Sequence, residues 1–130
     1  MYKRQVLAPC PLNADVAPND ASLVLRLDHG RSSVLLPGDL EAAGERALLA
    51  RLTPVTVLKV GHHGSRTSST EAFLEALRPR VALVSSGHPS PFNHPHAVVV
   101  ERYARRGIPL MRTDRQGLVA VTLRADGGFE

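Results

Sequence analysis

The sequence predicts a single α/β domain, and three observations support that expectation. Short apolar runs rich in Val and Leu, such as VTVLKV at 55–60 and VALVSSG at 81–87, read as strands buried on both faces. They alternate with segments whose apolar residues recur at helical spacing. The chain has 130 residues and is 43% hydrophobic, yet only 4% aromatic with no Trp, so its core must be built from Leu, Val and Ala, which suits a sheet covered by helices. The expected order is ββαβαβαββ with short loops, a layered α/β sandwich and not a bundle or barrel.

Residues 6–20, VLAPCPLNADVAPND, hold three prolines without a period and read as an extended segment. ASLVLRLDHGRSSVLLPGD follows as two apolar runs around Asp28-His29-Gly30-Arg31, a β-hairpin with Gly30 able to take positive φ. LEAAGERALLARL places Leu40, Ala43, Ala47 and Leu48 at helical spacing and ends near Thr53-Pro54. After the strand VTVLKV comes an HHGS turn. Ser68, three residues before Glu71, then reads as a capping box for a helix with Ala72, Phe73, Ala76 and Leu77 on one side, stopped at Arg78-Pro79. VALVSSG leads into the loop HPSPFNHPH, where Pro95 suits the first turn of a helix running to about Arg106, with Gly107 as its left-handed cap. IPLMRT and LVAVTLR, joined by Asp114-Arg115-Gln116-Gly117, read as closing strands.

The formal charge is +4, from 16 basic and 12 acidic side chains, an excess that favours an anionic partner without naming one. The single Cys10 excludes an internal disulfide framework and a cysteine-based zinc site. No stretch approaches the ~20 apolar residues needed to span a bilayer, and no charged-then-apolar leader opens the chain. A Gly-rich phosphate loop with its Lys-Ser/Thr pair, a G-x-S-x-G elbow and an aromatic RNA-binding strand are all missing from the sequence.

The polar chemistry falls at strand ends. Asp39 follows SVLLPG, His62 and His63 follow VTVLKV, and His88, His94 and His96 lie in the loop after VALVSSG. In α/β sheets the loops at the carboxyl ends of strands converge on one ligand-binding edge, so five of the six histidines and one aspartate are candidates to meet there. Imidazole and carboxylate are donors that zinc or manganese accepts. Read alone, Asp39 serves equally as a helix cap, the paired histidines as turn residues, and the histidines of the proline-rich loop as solvated groups. His29 reads as a turn residue. Arg66, Arg112 and Arg115 offer guanidinium forks to a phosphate or are simply solvated. Asn19, Ser22, Ser65, Thr113 and Asp114 are candidates to brace the loops.

Taken in order, NDASLVLRL, LLPGD, VLKVGHHGSRTSS, RPRVALVSSG, HPH and RTDRQG resemble the carboxyl-terminal domain of ComEC-type competence proteins, from about Val6 to Arg124. The resemblance implies a metallo-β-lactamase-like αββα sandwich binding one or two metals, usually zinc, with manganese as the other candidate. By it, Asp39 is a carboxylate ligand and His63, ahead of His62, a histidine ligand. His62 then contacts substrate or moves a proton, and His96, with His94, stands at the rim of the same cleft. Arg66 and Arg112 become candidate substrate contacts.

One part of that pattern is missing. The H-x-[HD]-x-D-H cluster that supplies most ligands in the family has no counterpart here, and no His precedes His29. The expectation is therefore the C-terminal half of such a domain over residues 6–130, with MYKRQ at 1–5 a non-native or truncation scar. The missing N-terminal half is its first partner. The resemblance further implies a hydrolase acting on DNA, single-stranded during uptake, within a bacterial inner-membrane protein whose channel portion lies elsewhere in the parent. The alternatives are a non-catalytic DNA-binding or structural module of the uptake machinery, or a soluble hydrolase of the same fold with another substrate. Alone, the segment is expected to bind metal weakly and to catalyse little.

Overall fold

The computed structural model describes residues 2–8 and 16–130; of the expected extended segment, residues 9–15 lie outside that set, while residues 6–8 are strand and Pro18–Ala21 form a 3₁₀ turn. Six strands form one sheet in sequential order: β1 (Tyr2–Ala8), β2 (Val24–His29), β3 (Ser32–Leu36), β4 (Val57–Lys59), β5 (Val81–Val84) and β6 (Leu110–Arg112). The hairpin of β2 and β3 is the expected one, turned at Gly30 with φ 60°. From β3 onward the strands are parallel. β1 was not anticipated. Residues 2–5, set apart in the sequence, run antiparallel to β2 with Tyr2 opposite His29 and Arg4 opposite Leu27. Backbone pairing along a sheet edge needs little from the side chains, so apolar pattern gave no sign of it.

Three helices connect the parallel strands: α1 (Ala42–Leu48), extended by a 3₁₀ turn at Leu49–Arg51, α2 (Glu71–Leu77) and α3 (Ala97–Arg105). Because each crossover joins neighbouring parallel strands in the right-handed sense, all three helices fall on one face. The register aligns Leu35 with Leu58, Leu58 with Ala82 and Ala82 with Leu110, a row pointing at the helices. Against that row pack Leu48 of α1, Phe73, Leu74 and Leu77 of α2, and Val99 and Tyr103 of α3. Each such fully buried side chain contributes about 1.5–3 kcal/mol. Buried Glu45 of α1 stitches the layer together: its two oxygens accept the backbone N–H groups of Ser69 and Thr70 at 2.6 and 2.8 Å. Burial raises its pKa against the pull of those hydrogen bonds.

Several expectations are corrected. Thr70, not Ser68, caps α2, its hydroxyl accepting from Phe73 N at 3.3 Å. Ser68 is buried and donates instead to the carbonyls of Gly61 and Ser65. His96 is the N-cap of α3, so Pro95 lies one residue before the cap and not in the first turn. Gly107 does take the left-handed conformation, at φ 65°. The last strand does not form. Thr113–Gln116 make a helical turn, α4, and Gly117 at φ 72° sends the chain off the sheet edge. Residues 118–130 then fold on themselves through one bridge, Leu123 to Phe129, and reach β3, where Ser32 Oγ donates to the Arg124 carbonyl at 2.6 Å. LVAVTLR alternates like a strand but pairs with the chain's own tail, Thr122 N–H donating to the Glu130 carbonyl at 2.8 Å, and Leu118 is left 93% exposed.

The second face of the sheet is different. Leu25, Leu27, Val34, Leu36 and Leu83 all lie on it by register, and none is fully buried. Val57 and Val81 are buried there, while Lys59, between apolar neighbours in β4, is only half-buried. Among the described residues no second sheet covers this face.

Candidate functional site

The carboxyl ends of the parallel strands β3, β4, β5 and β6 share one edge, and the expected site residues are there. The Gly61–Gly64 turn after β4 is not helical inside: His62 has φ 43°, ψ 45° and His63 φ 53°, ψ 20°, both left-handed. Strand geometry would aim two adjacent side chains at opposite faces. Consecutive left-handed residues reverse the chain within one turn, so that both histidines meet partners from this edge. The turn is pinned from three sides: His62 N–H donates to the Gly38 carbonyl (3.1 Å), Ser65 N–H to that of His62 (2.8 Å), and His96 N–H to that of Gly64 (2.8 Å). Gly64, at φ 81°, has no room for a side chain, since a Cβ there would sit 2.6 Å from Pro95 Cβ.

Asp39 and His63 stand together. His63 Nε2 lies 3.7 Å from Asp39 Oδ1, and both side chains are about half exposed, at 49% and 47%. The other ring nitrogen, Nδ1, lies 2.7 Å from the Ser85 carbonyl. A carbonyl only accepts, so Nδ1 carries a proton, and in the neutral tautomer that this bond fixes the Nε2 lone pair faces Asp39. Backbone carbonyls hold metal-binding histidines in this way. Zinc bonds to imidazole nitrogen and carboxylate oxygen at about 2.0–2.2 Å, so two donors on one ion lie at most about 4.3 Å apart. The observed spacing satisfies that bound and is too long for a hydrogen bond. Asp39 does not cap α1. That role belongs to Asp20, whose Oδ1 accepts from Glu41 N and Gly44 N at 2.9 and 3.0 Å.

His62 is committed differently. Its Nδ1 donates to Glu41 Oε1 at 2.9 Å, and the same oxygen accepts from Asn19 (3.2 Å) and Thr67 (3.0 Å). The Asn19 hydrogen bond leads in holding the Glu41 carboxyl below its ordinary range, ahead of the Thr67 and His62 contributions. The His62 ring meets that of His94 edge-on, centroids 5.7 Å apart. Burial depresses the pKa of His94, and the nearby charges of His62, His63 and His96 push in the same direction.

A cleft of about 700 Å³ adjoins this cluster and draws together His88, His94, His96, Arg112, Asp114 and Arg115. Arg112 is already paired with Asp114, Nη2 to Oδ2 at 2.6 Å and Nε to Oδ1 at 3.0 Å. His96 Nδ1 is buried with no hydrogen-bond partner. Such an orphaned polar atom beside a cleft needs a ligand, a water or a neighbouring segment. Arg66 is exposed, and no hydrogen bond ties it to the histidines. His29 ends β2 opposite Ser32 at the start of β3, the other end of the strands from this edge, and stacks on Tyr2, centroids 4.3 Å apart.

Two groups here were missed in the sequence. Glu41 was read as an ordinary helix residue, though a carboxylate two positions after Asp39 was the available signal. Lys59, the one charge in an apolar strand, lies close enough to Asp39 for the carboxylate to offset part of the drop in its pKa that burial imposes. Among the described residues no three His, Cys, Asp or Glu side chains gather to hold an ion.

Comparison with known proteins agrees with this architecture. A profile of the Metallo-beta-lactamase superfamily matches residues 15–88, more than half of the chain. Over 85% of its length the chain is 43% identical to Recombination protein 2 of Haemophilus influenzae. It is 40% identical over 78% of its length to ComE operon protein 3 of Bacillus subtilis, and 38% identical over 87% to Competence protein ComA of Neisseria gonorrhoeae. The matched region spans only 14%, 13% and 17% of those three proteins. No helix among the described residues is long and apolar enough to cross a membrane. The α/β fold, the strand-end histidines and these relatives lead to one assignment: the chain belongs to the metallo-beta-lactamase superfamily, in the ComEC-type form that its motifs resemble.

Proposed function

We propose that this chain is the C-terminal half of a metal-dependent hydrolase domain in a DNA-uptake protein, cleaving phosphodiester bonds of a DNA strand. The observation that carries the reading is the Asp39–His63 pair, with Nε2 left free by the Nδ1 hydrogen bond to Ser85. Asp39 and His63 would hold zinc or manganese as part of a larger ligand set. Such an ion supplies Lewis acidity toward a phosphoryl oxygen and lowers the pKa of a bound water to about 7. His62, oriented by Glu41, is placed to move a proton or contact substrate. His94 and His96 border the adjoining cleft, where Arg112, braced by Asp114, can present its guanidinium to a phosphate.

The remaining ligands belong to an N-terminal half that packs against the second sheet face. The row of half-buried Leu25, Leu27, Val34, Leu36 and Leu83 supports this, because an apolar sheet face of that extent needs a cover. The names of the relatives, two of which mention recombination or competence, support DNA as the substrate class. A membrane channel in the parent protein would then deliver the strand.

The test is zinc binding by calorimetry and mass spectrometry on the chain and on Asp39→Ala and His63→Ala, repeated with the first half of the parent domain added. The expected result is weak binding alone, abolished by either substitution. Addition of the first half should bring near-stoichiometric zinc and turnover of an activated phosphodiester. Zinc binding that ignores both substitutions would refute the site. Stoichiometric zinc without turnover on any DNA would favour a non-catalytic DNA-binding module.

A further inference from the structure

The edge of the sheet opposite the histidines carries a second concentration of charge. The residues just before the parallel strands line it, in two adjoining clefts of about 400 and 510 Å³ that share Arg78 and Arg80. The first cleft adds Arg31, the second Arg106. Arg106 is already bound to Glu71 and Glu75, at 2.8 and 2.7 Å. Arg31, Arg78 and Arg80 are exposed, and among the described residues none of them is held in an ion pair. The one acid lining the first cleft, Asp126, lies 3.3 Å from Arg124; its carboxyl is held below its ordinary range first by the Gly128 N–H, then by Arg124, and more weakly by the Arg31 charge as well. Arg80 is positioned, since it donates to the Gly127 carbonyl at 2.6 Å and lies over the Phe129 ring at 4.9 Å.

Arg78 is the most informative of these. It sits just past α2 at φ 39°, ψ 54°, a left-handed cap where glycine is the usual residue. The capping bond, Arg78 N–H to the Leu74 carbonyl at 2.8 Å, needs no side chain. A cation gains from the dipole at a helix C-terminus, but an ordinary position in the last turn would provide that without backbone strain. The strain instead sets a guanidinium where the two clefts join.

We propose that this edge binds the phosphodiester backbone of a single nucleic-acid strand, with Arg31, Arg78 and Arg80 meeting successive phosphates. Guanidinium forks match phosphate oxygens, and a line of them along a groove suits an evenly charged polymer. Arg31 reaches the groove from the β2–β3 hairpin turn, Arg78 from the C-terminus of α2 and Arg80 from just before β5. The most exposed large apolar side chains, Tyr2, Phe92 and Leu118, line neither cleft, so the edge has no apolar rim for a lipid surface. The choice of polymer rests on the DNA reading above. The clefts lie across the sheet from Asp39 and His63, so a strand here is held, not cut.

The experiment is fluorescence anisotropy of a labelled single-stranded oligodeoxynucleotide against salt, with the full chain, Arg78→Gly, the Arg31→Gln/Arg80→Gln double variant and Asp39→Ala. Arg78→Gly should keep or raise the melting temperature, because glycine relieves the left-handed strain, while weakening binding about 5- to 10-fold. Removing one arginine that neutralises a phosphate should reduce the salt slope by about 0.7. Asp39→Ala should bind as the native chain does. Unchanged binding in Arg78→Gly and in the double variant would overturn the cleft and leave the DNA reading standing. Equal affinity for polyglutamate or anionic vesicles, tighter binding of duplex, or no oligonucleotide binding would each overturn the inference. The zinc response of Asp39 and His63 tests the hydrolase reading independently of all these outcomes.

Discussion

At the residue scale, a single hydrogen bond distinguishes two adjacent histidines. His63 gives its Nδ1 proton to the Ser85 carbonyl and frees Nε2, whereas His62 gives its own to Glu41. The sequence placed both at a strand end and preferred His63 only by resemblance, because a backbone carbonyl from β5's loop leaves no trace in side-chain identity. Gly64 is the backbone counterpart. With φ 81° and Pro95 Cβ in the way, Gly64→Ala should lower unfolding free energy by about 1–3 kcal/mol. It should also disturb the zinc response of His63; urea titration and zinc calorimetry read the two effects separately. Glu45, with both oxygens on backbone N–H groups, should cost about 1–3 kcal/mol as Glu45→Ala, since it leaves Ser69 N–H and Thr70 N–H buried without an acceptor.

At the element scale, the helices were legible and their ends were not. The apolar spacing of Ala72, Phe73, Ala76 and Leu77 identified α2, although its buried side is Phe73, Leu74 and Leu77 with Ala72 exposed. The expected cap, Ser68, is drawn into the core by the Gly61 and Ser65 carbonyls, so Thr70 caps instead. Thr70→Ala should therefore cost about 1 kcal/mol, the usual loss for an N-cap. α2 and α3 are joined by Arg106, which holds Glu71 and Glu75 below the ordinary carboxylate value. Since the unfolded chain takes up these protons first, the stabilisation is full above the ordinary value of 4.5. It is lost as pH falls through the lower folded values. The melting-temperature gap between the native chain and Arg106→Gln should be constant near neutral pH and close below about pH 4. Both carboxylates are on the surface, so salt should narrow the gap as well.

At the scale of the whole molecule, one sheet face is packed by three helices and the other is apolar and half open. Leu27 and Val34, cross-strand neighbours on that open face, are the natural probes. The chain should self-associate as concentration rises, and Leu27→Glu with Val34→Lys should shift it to monomer in sedimentation velocity. Stability should change little, since neither side chain belongs to the helix-side core. A strictly monomeric native chain at high concentration would count against a face that needs a cover. The +4 charge is also organised at this scale, with the strand starts carrying exposed arginines and the strand ends carrying histidines.

The α/β class, the hairpin and the buried strands were legible in the sequence, because runs of Val and Leu and the 3.6-residue spacing are local signals of burial. The sequence also placed Asp39 and His63 at strand ends, since βα units put loops there whatever the side chains are. Tertiary structure alone decided that β1 pairs along the edge, that LVAVTLR finds no sheet to join, and which nitrogen of each histidine is free. It likewise brought Arg31 of the β2–β3 turn to one edge with Arg78 and Arg80 of the α2–β5 loop. Those outcomes depend on what lies across space from a residue, and neighbours in space are set by register and chain reversal, which no short stretch of sequence encodes.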